Sequence, residues 1–249
     1  MSLFDGLLAN PRLCASVRLL RIFSNWPMPR YHEEGLGSLS PCKKLLPELV
    51  GLRTLHMNDV DLMAGLFDAF LEIAEKIPLV VYLGGLGQTY TPALPPARII
   101  VSLRISKLSI CIYNNIEMDC FPFLFLLRAS ATTLTVLDML FYRDELIRFE
   151  GIILPSLRKL FLHLSDRCLR KKVTGFIAAQ RGITWLFLDG DIDIHPFPPD
   201  ALPNLRTLCA PTRFLKTLIS GRPVGVIYTQ RDRRENEPGW PKEEIAQLV

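Results

Sequence analysis

Leu154-Pro155-Ser156-Leu157-Arg158-Lys159-Leu160-Phe161-Leu162 decides the reading of this chain, because from Leu157 it spells Leu-x-x-Leu-x-Leu and the same plan returns along the sequence. Leu202-Pro203-Asn204-Leu205-Arg206-Thr207-Leu208-Cys209-Ala210 repeats it, Pro and polar residue included. Taken by its first residue, the hexad recurs at Val17 (with Leu20 and Ile22), Leu52 (Leu55, Met57), Leu134 (Leu137, Met139), Leu157, Ile183 (Leu186, Leu188) and Leu205. A degraded copy starts at Ile77 (Val80, Tyr82), and another copy starts at Ile105 (Leu108, Ile110). The successive spacings are 35, 25, 28, 29, 23, 26 and 22 residues. Most lie in or near the roughly 20–29 residues of a unit made of one short strand and its return.

Within each hexad, apolar residues at the fourth and sixth places alternate with residues of any kind, which is the period of a strand with one buried face. Neighbouring strands of such a series are expected to pair in parallel, and parallel neighbours need a long crossover. Asp61–Ile77 suits that role: Leu62, Leu66, Phe70, Ile73 and Ile77 fall at helical spacing, with Asp59 or Asp61 as N-cap. Phe121–Ala131, Arg170–Gln180 and Arg213–Ser220 are shorter helices of the same kind. Ile100, Leu103 and Ile105 also fit a hexad, but Ile105 as first residue gives the more even spacing. The long first spacing is explained by an insertion, Tyr31–Lys44, read as a surface loop. Pro47, Pro155 and Pro203 stand just ahead of strands, where proline stops a helix and sets an extended entry.

Gly221–Tyr228 reads as a last strand, and the polar residues from Gln230 as a tail with a short helix, Glu243–Val249. Ser2–Ala9 is expected to shield one end of the stack, Trp240 and the final helix the other, since stacked repeats need capped ends. Residues 1–228 therefore form the repeat stack, about eight or nine irregular units, and residues 229–249 the polar tail with its capping helix.

The totals fit this picture. Of 249 residues, 49% are hydrophobic and 22% charged, a globular composition. A net charge of only +4 argues against a surface dedicated to nucleic acid. Six cysteines without a C-x-x-C pair read as reduced thiols, and the first residues lack the basic and apolar regions of a signal peptide. The most apolar run, Phe121–Leu127, is far short of a bilayer span. An intracellular protein, cytoplasmic or nuclear, without a membrane partner, is the expectation.

The hexads resemble the first half of the leucine-rich-repeat consensus, L-x-x-L-x-L-x-x-N/C-x-L. Only the Val17 copy reaches the asparagine, at Asn25; the others have Val60, Gly85, Tyr113, Tyr142, Ser165, Asp191 and Arg213 there, so this is an irregular member. The resemblance implies an α/β fold, a right-handed leucine-rich-repeat solenoid with short parallel strands on its concave face and helices or irregular turns on its convex face. Leu3-Phe4-Asp5-Gly6-Leu7-Leu8-Ala9-Asn10-Pro11-Arg12-Leu13, Leu202–Arg206 and Gly221-Arg222-Pro223-Val224 look like the repeat region of fungal F-box-like leucine-rich-repeat proteins. In that family an N-terminal F-box docks on a cullin-ligase adaptor while the repeats hold the substrate, which implies substrate recognition in an SCF-type ubiquitin ligase. No F-box-like Leu-Pro-x-Glu segment is seen ahead of Leu3.

If the hexads are in register, the third, fifth and seventh places line the concave sheet. Three consecutive copies then show Val136, Asp138 and Leu140; Lys159, Phe161 and His163; and Trp185, Phe187 and Asp189. Aromatics beside a cation on an exposed sheet suit a protein partner, so Asp138, Lys159, Phe161, His163, Trp185, Phe187 and Asp189 are the candidate partner-binding residues. The competing reading covers the aromatics with a loop such as Asp191–Asp200.

Enzymatic chemistry finds little footing. Asp189-Gly190-Asp191-Ile192-Asp193 departs from a calcium loop at the required glycine, which is Ile194, and at the final glutamate, which is Asp200. Gly84-Gly85-Leu86-Gly87 lacks the third glycine of a dinucleotide loop and reads as a turn joining repeats. The four histidines have no metal-ligand spacing. A non-enzymatic interaction scaffold without a cofactor is the leading expectation, and an enzyme or small-ligand binder using the Gly84–Gly87 or Asp189–Asp193 loops is the alternative.

Overall fold

The computed structural model describes residues 3–23, 40–58, 60–86, 102–112, 121–141, 151–164, 170–190, 196–230 and 244–246. Nine strands lie parallel in one open sheet, in the order of the sequence: β1 (Leu19–Phe23), β2 (Thr54–Asn58), β3 (Leu79–Leu86), β4 (Ile105–Ile112), β5 (Val136–Phe141), β6 (Lys159–Leu164), β7 (Trp185–Gly190), β8 (Thr207–Pro211) and β9 (Val226–Gln230). The architecture is thus α/β and solenoid-like, each unit pairing with the next.

The register explains why the hexad is apolar at its fourth and sixth places. Leu20, Leu55, Val81, Leu108, Leu137, Leu160, Leu186, Leu208 and Ile227 form one row across nine strands. Ile22, Met57, Leu83, Ile110, Met139, Leu162 and Leu188 form a second row. With Leu20 packed against it and Ile227 excepted, the two rows belong to a continuous core with the apolar faces of the crossover helices. A fully buried leucine contributes about 1.5–3 kcal/mol, and Leu108, Leu137, Leu160, Leu186 and Leu208 are each completely buried.

At the N-terminal end α1 (Leu3–Leu8) and α2 (Pro11–Ser16) precede the sheet, and Leu7 and Leu8 pack on the core as the expected cap requires. Helix α3 (Ser40–Leu45) continues into a 3₁₀ turn, Leu46–Glu48. The crossover helices are α4 (Val60–Lys76), α5 (Phe121–Ala129), α6 (Arg170–Ala179) and α7 (Thr212–Ile219), within two residues of the predicted spans. Leu66, Phe70 and Ile73 of α4 lie at helical spacing and are buried, as are Phe176 and Ile177 of α6.

Five expectations need correction. The third hexad is one residue out of register: Leu55 pairs with Val81 and Met57 with Leu83, so Val80 and Tyr82 turn away from the core while Leu79, Val81 and Leu83 fill it. A one-residue slip exchanges the two faces of a strand, and the first place of this unit is Pro78. Part of the Tyr31–Lys44 insertion is not loop, because α3 buries Cys42 and Leu45. Gly84 and Gly85 continue β3 instead of forming a turn.

Finally, within the expected terminal helix, Glu244–Ala246 form β10, antiparallel to β9. A strand here pairs backbone groups that the edge of β9 leaves open. Asp61 falls inside α4, so it is not the residue that precedes the helix; Asp59, Trp240, the rest of the tail and Gly87 lie outside the described residues.

A repeated pattern of hydrogen bonds links successive units. The carbonyl of the second hexad place accepts two backbone N–H groups from the next unit: Arg18 from Arg53 and Thr54, Thr135 from Arg158 and Lys159, Arg158 from Thr184 and Trp185, Thr184 from Arg206 and Thr207. The residue just before the hexad adds a side-chain link. Thr133 Oγ1 donates to Leu103 O at 2.7 Å, Ser156 Oγ to Thr132 O at 2.6 Å, Asn204 Nδ2 to Arg181 O at 3.0 Å and Arg104 Nη1 to Lys76 O at 3.0 Å.

Where that residue is glycine, an arginine of the preceding unit supplies the link. Arg18 Nη1 donates to Gly51 O at 2.9 Å and Arg158 Nη1 to Gly182 O at 3.4 Å. A Cβ on either glycine would occupy the space of that guanidinium. The buried Gln180 makes a further link, receiving Leu154 N–H at 2.8 Å on Oε1 and donating from Nε2 to Ile152 O at 2.8 Å and Phe176 O at 2.9 Å.

Candidate binding face

Since the fourth and sixth places point to the helices, the third, fifth and seventh places of each strand form the other face of the sheet, which no described helix covers. Across β5, β6 and β7 the register sets Asp138, Phe161 and Phe187 in one row, Lys159 beside Trp185 in a second and His163 beside Asp189 in a third. All seven predicted residues therefore come together. The structure leaves each of them at least partly exposed.

Their contacts form a chain. Phe161 meets Trp185 edge-on with ring centroids 5.3 Å apart and Phe187 at 6.0 Å; His163 lies 4.8 Å from the Phe187 ring. Lys159 Nζ sits 4.6 Å above the Trp185 ring, a cation–π contact. His163 bridges two carboxylates, with Nδ1 3.5 Å from Asp189 Oδ2 and Nε2 3.9 Å from Asp138 Oδ1. Ser109 Oγ donates to Asp138 Oδ2 at 3.1 Å, which orients that carboxylate from β4. The His163 and Asp138 side chains keep 34% and 32% of their surface exposed, so the contact between them is solvent-screened and weak. Trp185 Nε1 is buried and has no acceptor among the described residues.

The competing reading places the Asp191–Asp200 loop over these aromatics. Residues 191–195 lie outside the described residues. Of the remainder, Phe197 is buried and stacks under the Arg222 guanidinium at 5.6 Å. Arg222 itself donates to the carbonyls of Ala201 and Pro198, so this part of the loop is tied to the β8–β9 side of the stack.

A second cluster on the same face is not anticipated by the hexad pattern. His56 and Tyr82 stack with centroids 4.2 Å apart and planes 16° from parallel, and Lys107 Nζ lies 5.0 Å above the Tyr82 ring. Arg21 is the partner of His56 in the β1–β2 register. Burial first, and the Arg21 charge second, hold the His56 imidazole below its ordinary pKa. A third hexad started at Ile77 assigns Tyr82 to the core; the pairing of Leu55 with Val81 and Met57 with Leu83 places it on the other face.

The loops of the alternative reading are described only in part. Gly84 and Gly85 are strand residues, Asp189 and Gly190 end β7, and residues 191–193 lie outside the described residues. Among the described residues no group of three or more His, Cys, Asp or Glu side chains is arranged to hold a metal ion, and no helix is long and apolar enough to cross a membrane. An open hollow of about 520 Å³ lies at the N-terminal end, between Leu8, Pro11, Cys14, Lys44, Glu48 and Val50, away from both clusters. No family model matches the chain, and no curated protein matches it.

Proposed function

We propose that the protein is a non-enzymatic interaction scaffold of the leucine-rich-repeat type, which captures a protein partner on the face of its sheet turned away from the helices. The observation that carries this reading is the packed trio Phe161, Trp185 and Phe187 on a sheet face that no described helix covers, flanked by Lys159 above and Asp138, His163 and Asp189 beside it. Tryptophan, with its large area and single N–H, dominates binding energy at many interfaces when a partner desolvates it.

The repeat assignment is supported by unit lengths of 22–35 residues and by strands that pair in sequence order. Membership of an SCF-type ligase rests on resemblance alone, and co-purification with a cullin adaptor is its test.

The test of the face is affinity capture from the source cell with the intact chain and with Trp185→Ala/Phe187→Ala. A hot-spot tryptophan is worth about 2 kcal/mol or more, roughly thirtyfold in affinity, so the captured partners should be lost while the melting temperature stays close to wild type. Equal recovery of the same partners by both proteins would refute the assignment.

A further inference from the structure

We propose that the β1–β4 part of the open face is a subsite for the carboxylate side chains of an extended acidic segment of the protein partner, held by Arg21, His56 and Lys107 around the Tyr82 ring. This rests on the reading of the open face as a partner surface and supplies the partner's chemistry.

The argument starts from the sign of charge along the face. The outward positions of β1–β4 among the described side chains are Leu19 and Arg21; Thr54 and His56; Val80, Tyr82 and Gly84; and Lys107, Ser109 and Cys111. They hold two permanent cations and an imidazole and no carboxylate. Among the described side chains, the carboxylates of the face, Asp138 and Asp189, begin only at β5.

The groups facing His56 from its neighbours are Arg21 on β1 and Tyr82 on β3, and β2 itself adds no charge among its described outward side chains. A cation above the Tyr82 ring and a second cation next to a stacked imidazole are thus left without an opposite charge among these positions. A bound carboxylate is the complement such a field favours.

Geometry sets the size of the ligand. Three strand spacings across the sheet and two residues along it separate Arg21 from Lys107, about 16 Å, the length of roughly five extended residues. The aromatic trio lies about the same distance further on. One extended segment of about nine residues therefore reaches from an acidic stretch on β1–β4 to an apolar anchor on β6–β7. A nucleic acid fits less well, because its phosphates would continue past Lys107 onto Asp138 and Asp189, and the whole chain carries only +4.

The experiment uses the full chain with fluorescein-labelled hexaglutamate, hexaglutamine of the same length, and an oligothymidylate of equal charge, read by polarisation at low salt. Hexaglutamate should bind in preference to both, and Arg21→Gln/Lys107→Gln should weaken it about tenfold, since surface electrostatic contacts of this kind are worth up to about 1 kcal/mol each. A charge-matched control, Arg12→Gln/Lys216→Gln, removes cations from α2 and α7 and should change binding less than twofold. In wild type, NMR should show bound hexaglutamate raising the His56 titration midpoint, a readout that needs no substitution.

Equal binding of hexaglutamine, tighter binding of the oligothymidylate, equal losses in the two double variants, or an unmoved His56 midpoint would each overturn the proposal. The two readings fail separately. Capture that depends on Trp185 and Phe187 in a chain indifferent to hexaglutamate removes only the acidic subsite. Specific hexaglutamate binding in a chain whose capture ignores those aromatics removes only the aromatic anchor.

Discussion

Gln180→Met tests how successive units are held together. The replacement keeps the length of the side chain and its burial, but removes one acceptor and the donors that serve Ile152 O and Phe176 O. Leu154 N–H and Ile152 C=O then lose the partner that Gln180 gives them in a region where Gln180, Ile152 and Leu154 are almost wholly inaccessible. An orphaned buried group costs about 1–3 kcal/mol, and the apolar methionine recovers part of what the amide lost on burial. The expected net loss is therefore about 3 kcal/mol. With a urea dependence of about 3 kcal/mol/M, the midpoint should fall by about 1 M.

Because each unit of a stack touches mainly its neighbours, the loss should also be local. In hydrogen exchange, the Leu154 amide should lose its protection and the β6–β7 units should open more readily, with β2 and β3 changed least. A midpoint within about 0.2 M of wild type together with a still-protected Leu154 amide would show that these bonds are replaced by water at no cost, and the reasoning would fail.

Further outcomes follow from other details. Gly51→Ala should destabilise by about 2 kcal/mol, as overpacking typically does, because its Cβ would collide with Ala15 O and the Arg18 guanidinium; Gly175→Ala, in α6 with nothing within 4 Å of the new methyl, should stabilise by about 0.5–1 kcal/mol. Urea midpoints of opposite sign check the pair. The His56 imidazole should titrate below its ordinary value by NMR and move up in Arg21→Gln. Its folded pKa is the lower one, so the unfolded chain binds more protons between the two values, and this contribution to stability is complete above the ordinary imidazole pKa and is lost as pH falls from there through the folded value. Burial pushes the Cys42 thiol up, so in native protein at neutral pH it should react with a thiol reagent far more slowly than after unfolding.

Much of this architecture is legible in the sequence because a solenoid-like stack repeats one local decision. Apolar residues at two alternate places, such as Leu160 and Leu162, can be satisfied only if every unit turns the same strand face toward its crossover helix. The same arithmetic gathers Asp138, Lys159, Phe161, His163, Trp185, Phe187 and Asp189 on one face from their places in the hexads alone. Where the pattern is degenerate the register slips: Val80 and Tyr82 look as apolar as Val81 and Leu83, and only pairing with Leu55 and Met57 separates them.

The sequence by itself therefore determined the repeat, the strand period and the face on which individuality lies, since these follow from the spacing of apolar residues. Tertiary structure alone decided how the units are joined and how charge is distributed over the face. Gly51 with Arg18, Gly182 with Arg158, and Gln180 with Ile152 and Leu154 lie 24–33 residues apart, and no local pattern links them. The His56–Tyr82–Lys107 cluster likewise exists only because three strands, distant along the chain, set those side chains side by side. Hydrogen bonds and charges act over a few ångströms of space, so the residues that answer one another become visible only when the chain is folded.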